Sequence, residues 1–245
     1  MKRNPSEICA QVFLVSLMTL IIIITLYPLV HVIFASISQP NLLAAHRGPM
    51  LAPLGISSLP YELLFNNRFI LSGLGNSLLL IVGGVSCNIL MTAIAAYVLS
   101  KRYARLTKVF TVCIMFTMLF SGGLIPLYLT VRSMGMYNNY LALILPFAVS
   151  TFNLIILRTA FEGVPVSLEE SARMDGAGHF TILFRITIPV VMPMIAVMIL
   201  YYAVDRWNGW FYASVFLKDR SLYPLQLILR DLLLDHTDGM GAVLH

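Results

Sequence analysis

Side chains capable of acid–base chemistry are scarce in this chain. Their densest group falls between Phe161 and Pro189, in FEGVPVSLEESARMDGAGHFTILFRITIP. Asp175 and His179 are near neighbours there and of types that could make a catalytic pair. A catalytic pair also needs a third partner and a pocket, and a solvated turn supplies neither. The sequence has no G-x-x-x-x-G-K-[ST] loop to cradle nucleotide phosphates, and Gly73-Leu74-Gly75 lacks the third glycine of a dinucleotide fingerprint. H-E-x-x-H and G-x-S-x-G are absent too. Cys9, Cys87 and Cys113 lie in apolar stretches without C-x-x-C spacing, which supports neither a zinc site nor a disulfide framework. No catalytic residue, metal site or resident cofactor is expected.

What the polar stretch does encode is shape. Pro165 ends the preceding element, and Ser167 with Glu170 has the S-x-x-E spacing of a capping box, predicting a helix from about Leu168. Gly176, followed by Ala177 and Gly178, predicts its stop, because glycine accepts the left-handed conformation that ends helices. A second helix starts near Phe180 and runs through Pro189 and Pro193 into an apolar run. The outcome is a helix, a sharp turn and a helix: a compact knob that a soluble partner can grip.

The elements that must hold this knob are apolar. Of 245 residues, 59% are hydrophobic and 11% charged, against about a quarter charged in soluble domains, so the chain reads as an all-α integral membrane protein. Five stretches lack charge for about the 20 residues that cross a bilayer: Ile8 to Phe34, Asn76 to Ser100, Val109 to Val131, Tyr140 to Leu157 and Ile186 to Val204. The first is too long and too uninterrupted for a cleaved signal and reads as a retained anchor. Between the first two, four prolines with Arg47, Glu62 and Arg68 describe a long loop with a short helix near Tyr61. The chain thus divides into residues 1–71, an anchor with a long external loop, and residues 72–245, a core with the polar loop 158–185 and a C-terminal segment 205–245.

Charge sets the orientation. The net charge is +5, but the cations are scattered between apolar runs rather than gathered in a stripe for nucleic acid. Lys101, Arg102, Arg105 and Lys108 crowd the segment after the second span, whereas the next connection carries only Arg132. By the positive-inside rule the first of these is cytoplasmic, which also places Lys2, Arg3 and the 158–185 loop inside. The 205–245 segment then falls outside.

Glu170, Ser171, Ala172, then three residues, Gly176, then nine residues and Ile186-Thr187-Ile188-Pro189 resemble the EAA signature, E-A-A-x3-G-x9-I-x-L-P, of binding-protein-dependent ABC importer permeases. Ser171 and Ile188 are its departures. Pro165 and Asp175-Gly176-Ala177 fit the carbohydrate branch, and the stretches Gly122 to Pro146 and WNGWF from Trp207 resemble permeases for oligosaccharides and polysaccharide fragments. The resemblance, which covers nearly the whole chain, implies the type I permease fold in a bacterial cell membrane. It implies a coupling helix from Leu168 to Asp175, with Glu169, Glu170, Ser171, Ala172, Asp175, Gly176 and Ala177 meeting an ATPase. It also implies a second permease subunit, two ATPase subunits that bind ATP and Mg, an extracytoplasmic solute-binding protein, and a carbohydrate as cargo. The branch usually has a sixth span; this sequence shows none, which points to a truncated form.

Polar residues inside spans face the bundle interior, and sugars bind planar amides and aromatic faces. Asn88, Asn153, Tyr128, Tyr201, Tyr202, Trp207 and Asn208 are therefore the candidates for a substrate pathway. The competing reading makes the asparagines interhelical hydrogen bonders and the aromatics an interfacial belt. A secondary transporter or channel is the functional alternative. It calls for ionisable groups within spans, and the five runs contain none away from their ends.

Overall fold

The computed structural model describes residues 5–101 and 106–241, with side chains over 11–101 and 106–234. Lys2, Arg3, Arg102, Arg105 and His245 lie outside the described residues, as does the side chain of Cys9. Among those described, the only β-pairing is an isolated bridge, Ser38 to Ile56. The chain forms two compact units, Met1–Arg68 and Phe69–His245.

In the first unit, α1 (Pro5–Ile37) is a single apolar helix long enough to span a bilayer, and its flanks are open, with Phe13 66% exposed and Ile24 62% exposed. The chain then folds back on itself. Ser38 Oγ donates to the Phe34 carbonyl at 2.6 Å and accepts from the Leu54 amide at 2.9 Å, while the Met50 amide donates to the Tyr27 hydroxyl at 3.1 Å. The expected helix near Tyr61 is α3 (Leu59–Asn66). A further short helix, α2 (Pro40–Ala45), was not expected; its proline occupies the first turn, where a missing amide costs nothing.

In the second unit, α4 (Arg68–Ser100) is unbroken and begins eight residues before the run expected from Asn76. The other three expected spans are each bent pairs rather than straight helices. The third splits into α5 (Thr107–Leu119) and α6 (Leu124–Ser133), bent by 114°. Gly123 sits at φ +85°, outside any helix, and Pro126 is placed in the first turn of the new one. The fourth is α7 (Leu141–Ile144), prolonged by a 3-10 turn over Leu145–Phe147, and then α8 (Thr151–Glu162), bent by 51°. Pro146 lacks an amide there and Ser150 is extended.

The fifth follows α9 (Val166–Met174). It comprises α10 (His179–Ile182), a π-helical turn over Leu183–Thr187, α11 (Ile188–Val190) and, after an 87° bend, α12 (Met192–Trp207). The ring of Pro189 would meet the carbonyl of Arg185, and the wider π turn relieves that clash. Pro193 removes another donor just past Val191. Beyond lie α13 (Trp210–Phe216) and α14 (Leu225–Gly241). The described helices include two long and apolar enough to cross a membrane alone, or five spans when each bent pair is taken as one. Cys87 is half-buried and Cys113 exposed, both free.

Two buried clusters hold this unit, and α4 contributes to both. One joins Ala93, Ala96, Tyr97 and Leu99 of α4 to Leu154, Leu157 and Phe161 of α8, Ala172 of α9, Ile182, Leu183 and Ile195. The other joins Leu80 to Val131, Ala142, Leu143, Ala213, Phe216 and Leu227. Leu157 is fully buried in the first. Leu157→Ala is expected to lower the thermal unfolding midpoint in detergent. The loss should lie near the bottom of the about 2–5 kcal/mol range for such truncations, because in an apolar solvent packing alone is lost. An unchanged midpoint would remove Leu157 from the core.

Candidate functional site

The polar loop folds as a knob, by a different start from the one its spacing suggested. Pro165 is the N-cap of α9, and no side chain caps it. Ser167 is therefore already inside the helix and the capping box with Glu170 does not form. Its carbonyl instead accepts from Ser171 Oγ at 2.8 Å. The Pro165 carbonyl begins the turn, receiving the Leu168 amide at 3.1 Å. The stop is at Gly176, φ +81°. Two bonds close it, Gly176 amide to Arg173 carbonyl at 3.0 Å and Ala177 amide to Ala172 carbonyl at 2.9 Å, the paired pattern of a Schellman turn.

Helical periodicity divides the seven expected coupling residues between two faces. Glu169, Ala172 and Ala177 turn inward: Ala172 is in the core cluster with Ala177 packed beside it, and Glu169 forms an ion pair with Lys101, just past the end of α4. Glu170, Ser171, Asp175 and Gly176 face outward. Around them stand apolar side chains with nothing covering them, Val166 at 67%, Met174 at 83% and Phe180 at 70% exposure. The base is braced further by Tyr97, whose ring meets that of His179 edge-on at 6.4 Å and lies under Lys101 Nζ at 4.1 Å.

The second site is a cavity of about 440 Å³ beside the break in the fourth span, lined by Asn88, Ser150, Tyr202, Asp205, Arg206, Asn208 and the aromatic rings of Phe147, Phe211 and Tyr212. Three of the seven expected pathway residues, Asn88, Tyr202 and Asn208, come together here. Tyr128 packs against Tyr137 at 5.8 Å and Phe216 at 6.4 Å. Tyr201 is exposed on α12, while buried Asn153 and half-buried Trp207 are not in the cavity wall.

Arg206 organises the wall, and sequence reasoning missed it. It donates to the Leu143 carbonyl, and through Nη2 to Asn88 Oδ1 at 3.0 Å and the Phe147 carbonyl at 3.0 Å. Asn88 Nδ2 donates to the same Phe147 carbonyl at 2.9 Å. One turn back on α12, the Tyr202 hydroxyl accepts from the Ser150 amide at 3.1 Å and shares a hydrogen bond with Thr92 Oγ1 at 2.7 Å. The signal for Arg206 was its position four residues after Tyr202, on one helix face. Composition hides it, because the fifth apolar run ends at Val204 whereas α12 continues to Trp207. The partners of Arg206 are neutral, and among the described residues no carboxylate pairs with it. No group of three metal-ligating side chains occurs among them either.

Bent spans around a polar cavity, with a rigid knob at the end of α4, define a membrane transport subunit, and comparison with known proteins identifies which kind. The family model described as binding-protein-dependent transport system inner membrane component matches residues 88–229, more than half of the chain, including the knob and the polar residues of the cavity wall. The chain belongs to that family, whose members are transport components of the membrane rather than enzymes. It is 37% identical over 207 residues to protein LplC of Bacillus subtilis (strain 168), covering 84% of this chain and 70% of that one. It is 36% identical over 219 residues to the polygalacturonan/rhamnogalacturonan transport system permease protein YtcP of the same organism, covering 89% and 76%. A solved bacterial ABC transporter involved in the import of the acidic polysaccharide alginate superposes with a TM-score of 0.92 at 31% identity, over all of this chain and 88% of that one.

Arg206→Leu would take the side-chain donor from the Leu143 carbonyl and from Asn88 Oδ1, while the Phe147 carbonyl keeps Asn88 Nδ2, at about 1–3 kcal/mol per orphaned group. A lower thermal midpoint in detergent is expected. Arg206→Lys should restore only part of it, since an ammonium cannot span three acceptors as a planar fork does. Equal midpoints for wild type and the leucine variant would show that the clamp does not hold the break.

Proposed function

We propose that this chain is a permease subunit of an ATP-driven importer that moves an oligosaccharide or related carbohydrate across a bacterial cell membrane. The observation that carries the reading is the knob, a helix–turn–helix whose inner face is locked into the core while Val166, Met174 and Phe180 stand uncovered around Glu170 and Asp175. A rigid protrusion with an apolar rim is suited to seating in a cleft of another protein, and closure of a pair of such proteins would rock the attached helices between access states. In this reading Glu170, Ser171, Asp175 and Gly176 meet an ATPase subunit, and Glu169, Ala172 and Ala177 hold the knob to the membrane helices. ATP and Mg are bound by two ATPase partners, a second permease subunit completes the pathway, and an extracytoplasmic binding protein delivers the cargo. Two of the similar proteins are named for polygalacturonan/rhamnogalacturonan and alginate transport, which supports a carbohydrate cargo. Asn88, Tyr202 and Asn208, with the rings of Phe211 and Tyr212, supply amide, hydroxyl and aromatic surfaces of the kind sugars bind.

The positive-inside rule supports an orientation with the amino terminus and the knob in the cytoplasm.

The test is to tag the chain, solubilise the native membrane gently and identify what co-purifies, alongside Gly176→Val. A β-branched residue at φ +81° is strained by about 1–2 kcal/mol or more. A Walker-A ATPase and a second EAA-bearing permease are expected with the wild type, and loss of the ATPase and of labelled-oligosaccharide uptake with the variant. Full association and uptake in the variant would overturn the role of the knob.

A further inference from the structure

We propose that Lys101 is a positioning residue for coupling, fastening the knob to α4 through Glu169 so that movement at the knob is delivered to the cavity by a single rigid helix. This rests on the reading of the knob as the ATPase-binding element.

Lys101 follows the last residue of α4, where a lysine at the end of an apolar run ordinarily extends its ammonium into water. Here it is folded down: its side chain is 10% exposed and that of Glu169 12%, and the ammonium also rests on the Tyr97 ring. Lysines are almost never so enclosed without a partner. The pair joins the knob to a membrane helix, unlike Arg158 with Glu162, which lies inside α8, and the adjacent Arg230 and Asp231. The rest of the contact is apolar and aromatic, Ala172 and Ala177 against the α4 cluster, Ile182 and Leu183 beside them and His179 edge-on to the Tyr97 ring. Such surfaces keep two elements together but do little to prevent one swivelling on the other. A charged pair set at the edge of that contact fixes the remaining rotation.

Further back along the same helix, its middle turns reach the cavity. Asn88 bonds to Arg206 and the Phe147 carbonyl, and Thr92 bonds to Tyr202. Thr92 and Asn88 lie nine and thirteen residues before Lys101, or roughly 13 and 20 Å along a helix rising 1.5 Å per residue. The spans that follow α4 are each bent by 51° to 114°, so α4 is the element of this unit that transmits a displacement without a joint. With Lys101 or Glu169 neutralised, the knob would remain attached but turn on its alanines, and nucleotide hydrolysis would drive it without moving Asn88 and Thr92 in step.

The experiment uses the complete importer, with its ATPases, second permease and binding protein, in proteoliposomes, and reads ATP hydrolysed per sugar taken up. Lys101→Met and Glu169→Gln are each expected to raise that ratio about tenfold. Lys101→Arg and the exchanged pair, Lys101→Glu with Glu169→Lys, are expected to return it to within about twofold of wild type. A generalised weakening of the fold would not be repaired by exchanging the charges. Single variants with the wild-type ratio would overturn the proposal, as would an exchanged pair no better than the singles or unable to assemble. If the single variants fail to assemble, the exchanged pair decides by the same ratio. Failure of the wild-type chain to bring down an ATPase would instead defeat the knob reading itself.

Discussion

A backbone that bends inside lipid exposes amides and carbonyls that no water is present to satisfy, and much of the second unit is arranged around that constraint. Glycine or proline breaks three of its spans, by 51°, 87° and 114°. At the fourth span the freed groups are taken up by side chains from two other helices. Arg206 and Asn88 cover the Leu143 and Phe147 carbonyls, and Tyr202, held by Thr92, covers the Ser150 amide. Asn88 and Thr92 are one turn apart on α4, as are Tyr202 and Arg206 on α12, so two i, i+4 ladders meet across the break. The cavity is the space that remains beside this arrangement. Its polar wall follows from satisfying the bend, which is also what leaves amide, hydroxyl and aromatic groups facing a passage.

The fold class and the polar loop were legible because both depend on local composition. A charge-free run of sufficient length is α1 or α4 wherever it packs, and glycine at 176 predicts its own φ sign. The bends were not legible in the same way. Hydropathy registers apolar residues without direction, so LFSGGLIPL reads as the middle of one span although Gly123 and Pro126 turn the chain by 114°. The glycine pair and the prolines were visible, but whether proline kinks a helix mildly or redirects it depends on which neighbours satisfy the freed carbonyls, and that is a tertiary property. The capping box failed for a local reason instead. Proline at 165 fixes its own φ and starts the helix before Ser167 can act as a cap.

Charged residues carried the least legible information. Lys101 and Arg206 each stand at the end of an apolar run, and in sequence each resembles a charge that only sets topology or marks a boundary. Their structural roles differ because of what lies opposite. Arg206 meets carbonyls released by a break 59 to 63 residues earlier, and Lys101 meets a carboxylate 68 residues later. Neither partner is implied by spacing. The same holds for the division of Glu169 from Glu170, adjacent residues of one type, which a helical turn of about 100° sends to opposite duties.

Small residues make the inner contact of the knob workable. Ala93 and Ala96 of α4 and Ala172 of α9 are buried almost completely in one cluster, and their lack of bulk lets backbones approach closely. Packing of that kind is tight but offers few directional contacts. A second, directional interaction is then needed if an element attached in this way is to transmit rotation, and the buried pair of Lys101 and Glu169 is where the chain has placed one. An ion pair in low dielectric is weak evidence of added stability, because desolvation offsets the attraction, but it is geometrically selective. The same logic applies near the middle of α4, at Asn88, where a guanidinium fork with three acceptors fixes orientation more than it binds. The C-terminal end of the unbroken helix and its middle are thus held by charged groups whose partners are specific, and the length between them needs only to stay straight.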